Sequence, residues 1–240
     1  MTLDKDQLLG TWTNLGKGRS FIIIDWIYNQ LVTRPFTVDG SYGTPAPADA
    51  PQLPITRDPK DQSIFIKHGN TTWPYIYTQG SDGSWLTPPS DSTSPPGIGT
   101  GLLCRFGQIV EYDIDETLQK ALCQETITAT GKDSSSKGAT SSSDGHTVEA
   151  VNAMAMLLRY NLPASVKFAA GEEWISWNSG KAPSGVITVR VDDQTAVIFD
   201  NNTNATAKDL EYKFKLWAAP KDGSQDKREI DPTLINKGDE

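Results

Sequence analysis

Histidine and cysteine are almost missing from this chain of 240 residues, which holds two of each. A Ser-His-Asp site needs a histidine held by a carboxylate beside an exposed serine. His68 sits at an expected turn, His146 follows a Ser-rich run, and no Gly-X-Ser-X-Gly occurs. Neither histidine therefore reads as a catalytic base. Cys104 and Cys123 are too few for a disulfide framework and have no metal-ligand pattern around them. They read as buried reduced thiols, with one disulfide between them left open, and no metal or cofactor is expected. Long apolar runs are also lacking. Runs such as Phe21 to Ile24 are far too short to span a membrane, so no membrane partner is expected. Positive charge is scarce, with 22 Lys and Arg against 30 Asp and Glu and a net charge of −8. Without a basic stripe there is nothing to hold a phosphate backbone, which excludes nucleic acid. The opening Met1-Thr2-Leu3-Asp4-Lys5-Asp6 has no apolar signal core, so the chain reads as cytoplasmic. A secreted mature form with its leader replaced would look the same, and Asn-X-Thr sequons at Asn70, Asn201 and Asn204 fit it.

What is present is the grammar of strands. Leu210, Tyr212, Phe214 and Leu216 alternate with Glu211, Lys213 and Lys215, a period of two that sets one face on a core and the other in water. Ile187, Val189 and Val191 alternate with Thr188 and Arg190 in the same way. Twenty Gly and fifteen Pro suit many short strands joined by turns. The expected class is mainly β: one or two antiparallel sandwiches or barrels with short helices. Phe214, in mid-strand, is an expected core residue.

Residues 3–9 read as one helical turn leading into Gly10-Thr11-Trp12. Phe21 to Val32 reads as one or two strands, and Thr44 to Pro59, with five Pro, as an extended loop. Ser63 to Lys67 and Trp73 to Thr78 read as a hairpin. Leu102 to Tyr112 reads as strand. Ile114, Leu118 and Leu122 share a four-residue spacing that predicts a short helix, and a second is expected from Thr147 through Met156 to Tyr160. Thr130 to Gly145, with six Ser and three Gly, reads as a mobile loop. The domain expectation is an aromatic-rich β part over 1–130, a flexible loop over 131–145, and a helix plus β-sandwich over 146–240, or one intertwined domain.

Acidic pairs at Glu172/Glu173 and Asp192/Asp193 are adjacent in sequence. Neighbours on a strand point to opposite faces, so they cannot share a glycosidase cleft. Gly16 to Ser20 and Gly97 to Gly101 lack the spacing of phosphate-binding loops and read as turns. The richer constellation is aromatic: Trp12, Trp26, Tyr28, Trp73, Tyr75, Tyr77 and Trp85. Such rings build a core, or else line a cavity or a sugar-stacking surface, because Trp and Tyr join flat apolar area to a polar tip. Trp12, Trp26, Trp73, Tyr75, Tyr77 and Trp85 are thus the ligand-binding candidates. Asp25, between Ile24 and Trp26, is the one catalytic candidate, since a core-facing carboxylate is costly unless paired or functional.

Leu8-Leu9-Gly10-Thr11-Trp12 resembles the Gly-X-Trp opening of calycin barrels such as lipocalins. The resemblance implies that the Trp plugs a barrel floor after a helical lead-in. Ala170 to Trp177, Tyr212 to Trp217, Lys221-Asp222-Gly223 and Ile230 to Ile235 together resemble the cupredoxin-like AidA/PixA inclusion-body proteins. That resemblance implies a sandwich without copper chemistry, since the cupredoxin ligands are absent. The leading expectation is a non-enzymatic protein acting by ligand binding or self-assembly, its partner a second copy of itself or a small apolar or sugar ligand. The first alternative is a small-molecule-binding barrel, such as a cyclase or isomerase of secondary metabolism using Asp25. The second is a glycan-binding module.

Overall fold

The computed structural model describes residues 5–14, 21–27, 29–37, 44–45, 53–58, 63–68, 71–80, 83–87, 103–128, 131–132, 147–150, 155–201, 208–222 and 227–236. The protein is mainly β and built of antiparallel sheets. It divides into two compact units, one of Met1–Phe106 with Ala129–Lys132 and one of Gly107–Thr128 with Asp133–Glu240. Among the described residues no helix is long and apolar enough to cross a membrane. Apart from residues 131–132, the Ser-rich loop lies outside the described residues, as do 15–20 and 88–102.

In the first unit most strands pair with a neighbour in sequence, and the series comes back on itself. Gly10–Asn14 pairs with Phe21–Ile27, which pairs with Gln30–Thr37. A tight reversal at Asn29, at a φ of 61°, joins the last two; asparagine tolerates that left-handed conformation better than most residues. Gln30–Thr37 then pairs with Leu53–Pro54, and the N–H of Ile55 continues the contact by donating to the Leu31 carbonyl at 2.9 Å. Thr56–Arg57 turns to Ile64–His68, followed in order by Thr71–Gly80, Gly83–Thr87 and Leu103–Arg105. Leu103–Arg105 returns to pair with Gly10–Asn14, so the ring is nearly closed and barrel-like. The Pro-rich stretch expected as a plain loop thus supplies short strands. Two-residue pairings suit it, because Pro cannot sustain a longer ladder.

One face of this ring carries a core of Leu8, Trp12, Ile22, Ile24, Leu31, Ile64, Ile66, Tyr75, Leu86 and Leu103. The helical turn is Lys5–Leu8, and the Trp12 indole N–H donates to the Leu8 carbonyl at 2.9 Å. That bond meets the one polar need of a fully buried indole.

The second unit has two sheets around one core. The first runs in the order Ala121–Thr128, Gln108–Ile114, Met156–Asn161, Thr195–Asp200, Val186–Arg190. The second centres on Leu210–Pro220, which pairs with Val166–Phe168, Ile175–Trp177, Arg228–Ile230 and Thr233–Asn236. Tyr112, Tyr160 and Ile198 from one sheet share the core with Phe214, Leu216 and Ala218 from the other. Two pairings are parallel, Gln108–Ile114 with Met156–Asn161 and Thr147–Ala150 with Thr233–Asn236, a departure from the antiparallel expectation.

Both later helices are corrected. Residues 115–120 form the turn of a hairpin whose strands hold Ile114 and Leu122, and Thr147–Ala150 and Met156–Asn161 are strands. Only Lys5–Leu8 is α-helical among the described residues, with a 3-10 turn at Gly171–Trp174. The strand Gln108–Ile114, placed in the first part by the sequence, packs in the second unit.

Candidate ligand-binding site

The aromatic candidates do not converge. Trp12 is wholly buried, Tyr75 nearly so, and Tyr77 packs against the same core. Trp85 stands in register with Cys104, which faces Thr13, on the side of the sheet opposite to Leu86. Trp26, one residue before the end of its strand, is 39% exposed. The side chain of Trp73, the whole of Tyr28, the side chain of His68 and all of His146 lie outside the described residues. Asp25 is partly exposed and alternates with Ile24 and Trp26, away from the Ile22 and Ile24 core face. Its Oδ1 accepts the N–H of Trp26 at 2.8 Å. The carboxylate thus lies off that core face, opposite the buried Val32, and is itself partly exposed.

Other candidate chemistry is structural. Cys104 is a free, fully buried thiol donating to the Thr13 carbonyl at 3.5 Å. Burial pushes its pKa well up, so it is held as the unreactive thiol. Arg190 pairs with Asp193 and donates to the Ala169 carbonyl at 2.7 Å, while Asp192 Oδ1 accepts two backbone N–H groups across its turn. Among the described residues no three His, Cys, Asp or Glu side chains stand together as a metal site.

The cleft with mixed chemistry lies in the second unit, where sequence reading placed none. It encloses about 300 Å³ and is lined by Trp177, Asn178, Ser179, Pro183, Glu211, Tyr212 and Lys213. Its geometry follows from the strand that reads best. Along Leu210–Pro220 the core-facing row runs from Phe214, 1% exposed, through half-buried Tyr212 to Leu210, 37% exposed. The apolar row therefore emerges from the core at this end. Ile175–Trp177 pairs beside it with Trp177 opposite Phe214, their ring centroids 4.9 Å apart at 40°. The N–H of Asn178 adds one further bond, to the Lys213 carbonyl at 3.0 Å. The chain then turns through Ser179 and Gly180, whose φ of 80° is strained for any residue with a Cβ. The N–H of Gly180 donates to the Trp177 carbonyl at 2.8 Å and the Ser179 hydroxyl to the Lys181 carbonyl at 2.7 Å. This turn holds the amide and hydroxyl residues beside the two rings.

Charge in the cleft is nearly balanced. Lys213 Nζ lies 3.0 Å from Glu211 Oε1, both side chains more than half exposed. Desolvation, and then the charge of Asp200, raises the pKa of Tyr212, so its phenol stays a neutral donor. The signal in the sequence was the turn Asn178-Ser179-Gly180 following Trp177, legible only once Trp177 is known to lie beside Tyr212. No protein-family model and no curated protein matches the chain, which leaves these residues and their geometry to carry its function.

Proposed function

We propose that this is a non-enzymatic binding protein whose second unit, a β-sandwich, holds a small ligand in the cleft between Trp177 and Tyr212. The observation that carries the reading is the exposure of two aromatic rings, one of them seated on the core residue Phe214, beside amide, hydroxyl and ion-pair groups. Small-molecule sites combine such apolar area with a few convergent polar groups. Binding is favoured over self-assembly because the large exposed apolar side chains among the described residues, Trp26, Ile76, Leu122 and Leu210, sit on four different strands rather than along one. The test is a thermal-shift screen of mixed polar and apolar small molecules on the native chain and on Trp177→Phe and Tyr212→Ala. A ligand should stabilise the native chain and lose most of its effect in Tyr212→Ala. Stabilisation that is equal in all three proteins would overturn the cleft.

A second reading keeps the first unit as a small-molecule-binding barrel. It is supported by the nearly closed ring of strands and by Trp12 bonded to the helical lead-in at Leu8. Its enzymatic form loses support at Asp25, which alternates away from the Ile22 and Ile24 face. Asp25→Asn and the paired His68→Asn, His146→Asn variant should both bind ligand as the native chain does. A positioned acid–base residue would instead contribute about 10² to 10⁴-fold to a rate.

A further inference from the structure

The main chain of the cleft narrows its ligand beyond the reading above, on which this step rests. Glu211 and Lys213 line the cleft although their side chains alternate with Tyr212 and turn to the other face of the sheet. At a sheet edge such residues bring main chain. In an antiparallel ladder the peptide groups of successive residues point by turns to one neighbour and to the other. The N–H of Phe214 donates to the Pro232 carbonyl at 3.2 Å, on the side of Thr233–Asn236, whereas the Lys213 carbonyl accepts from Asn178 on the side of Ile175–Trp177. By that alternation the N–H and carbonyl of Glu211 point to the same side as those of Lys213.

On that side the neighbouring strand stops short. The register of Ile175–Trp177 would set Gly180 opposite Glu211, but the N–H of Gly180 donates to the Trp177 carbonyl at 2.8 Å and the chain turns away. Among the described residues no strand pairs with residues 210–212 there. Leu210–Pro220 thus outruns its partner and leaves an edge with a donor and an acceptor at Glu211. Such an edge is a template for another extended chain, held by main-chain hydrogen bonds and selected by what its alternate side chains meet. What they meet here is apolar. Trp177, opposite Phe214, and Tyr212 lie on the core side of the sheet, with Pro183 beside them in the cleft. Leu210, the next residue of that row, is 37% exposed. A segment paired at Glu211 sets its two flanking residues opposite Tyr212 and Leu210, with their side chains against this row. The Trp177 ring, packed 4.9 Å from that of Phe214, is already in place to receive them. A volume of about 300 Å³, at the small end of ligand pockets, suits a short segment rather than a long strand.

We infer that the cleft binds a short extended peptide, added as a strand beside Glu211 in the register of Ile175–Trp177, with apolar side chains flanking the paired residue and lying against Trp177, Tyr212 and Leu210. The experiment is a calorimetric titration of the full chain with capped pentapeptides Thr-X-Thr-X-Thr, X being Val, Leu or Phe, and with the apolar probe N-phenylnaphthylamine. At least one pentapeptide should bind. The register makes a sharper demand. The residue opposite Glu211 turns its own N–H and carbonyl to the sheet, and its apolar neighbours turn theirs away. N-methylation of the Thr residues should therefore weaken binding about tenfold or more, while N-methylation of the X residues should leave it within about threefold. Tyr212→Ala should weaken it about tenfold. Equal loss in both N-methylated sets, or loss in neither, overturns strand addition, as does a pentapeptide that binds Tyr212→Ala as tightly as the native chain. Binding of N-phenylnaphthylamine alone, lost in Tyr212→Ala, overturns the peptide and leaves the cleft a ligand site. A dimer of the native chain in sedimentation equilibrium, lost in Tyr212→Ala, gives the edge to a second copy and overturns the peptide too. Binding of no probe also overturns it, and with no stabilising ligand in the thermal-shift screen the cleft falls as well.

Discussion

Phe214 shows what a single residue contributes to this fold. It is 1% exposed, it meets the Tyr160 ring edge-on at 6.4 Å and it supports Trp177. Truncating so enclosed a ring loses transfer energy and leaves a cavity, so Phe214→Ala should cost about 3–5 kcal/mol. Lys213→Ala, one residue away on the opposite face, should cost less than about 1 kcal/mol, because its pair with Glu211 is solvent-screened. Chemical denaturation of both variants checks this, and equal losses would contradict the strand's facing. The alternation that marks Phe214 as core is legible without a structure. It misplaces Leu210, which shares the parity but lies where the row leaves the core.

At the scale of elements, the hairpin Gln108–Ile114 to Ala121–Thr128 explains the failed helix. Ile114, Leu118 and Leu122 keep helical spacing only because a six-residue turn separates two strands. Ile114 and Leu118 are buried, whereas Leu122 is 51% exposed. The turn is organised by Asp115, whose Oδ1 accepts the N–H groups of Gln119 at 2.8 Å and Lys120 at 3.0 Å and whose Oδ2 accepts from Thr117 at 2.6 Å. Desolvation, the largest single cause, raises its pKa, but the hydrogen bonds from Thr117, Lys120 and Gln119 and the Lys120 charge together outweigh it, and the net shift is downward. A depressed carboxyl adds stability that is present above its unfolded value, about 3.9, and lost as pH falls through the lower folded value. Asp115→Ala should therefore cost about 0.5–1 kcal/mol at neutral pH, as the loss of a cap does, and progressively less below about pH 4. Denaturant midpoints of the two proteins from pH 7 to pH 2 measure it, and a gap that widens in acid would refute it. The second false helix has another cause. Met156 to Tyr160 are all buried, so both faces of the strand are covered and the period of two disappears into a continuous apolar run.

For the whole molecule, the consequence of burial is lability to alkali. Desolvation raises the pKa values of Cys104 and Tyr75 in the first unit and of Tyr160 and Tyr212 in the second, Asp200 adding to the last. Groups raised above their unfolded values stabilise the fold fully below those values, about 8.5 for Cys and 10 for Tyr, and lose that contribution as pH rises. Thermal midpoints should be level near neutrality and fall between about pH 9 and 11. Tyr160 sharpens the test, because its fully buried hydroxyl has no hydrogen-bond partner among the described residues. Tyr160→Phe removes a buried hydroxyl at little loss of packing, so it should hold or raise the midpoint at pH 7 and flatten the alkaline fall. A fall as steep as in the native chain would place the titration elsewhere.

The sequence alone determined the mainly β class, the helical turn before Trp12, the hairpin around residue 69 and the facing of Phe214, because all four are local. Period, capping and turn chemistry act within a few residues, and no distant segment is needed to read them. Only the tertiary structure decided that Leu103–Arg105 returns to Gly10–Asn14, that Gln108–Ile114 joins the second unit, and that Trp177 lies beside Tyr212. Each depends on pairing between strands far apart in the chain, and a strand's own pattern states which face it buries without naming its neighbour. The cleft shares that fate. Its two rings, 35 residues apart in number, meet because Ile175–Trp177 and Leu210–Pro220 hydrogen-bond in one register, with Trp177 opposite Phe214.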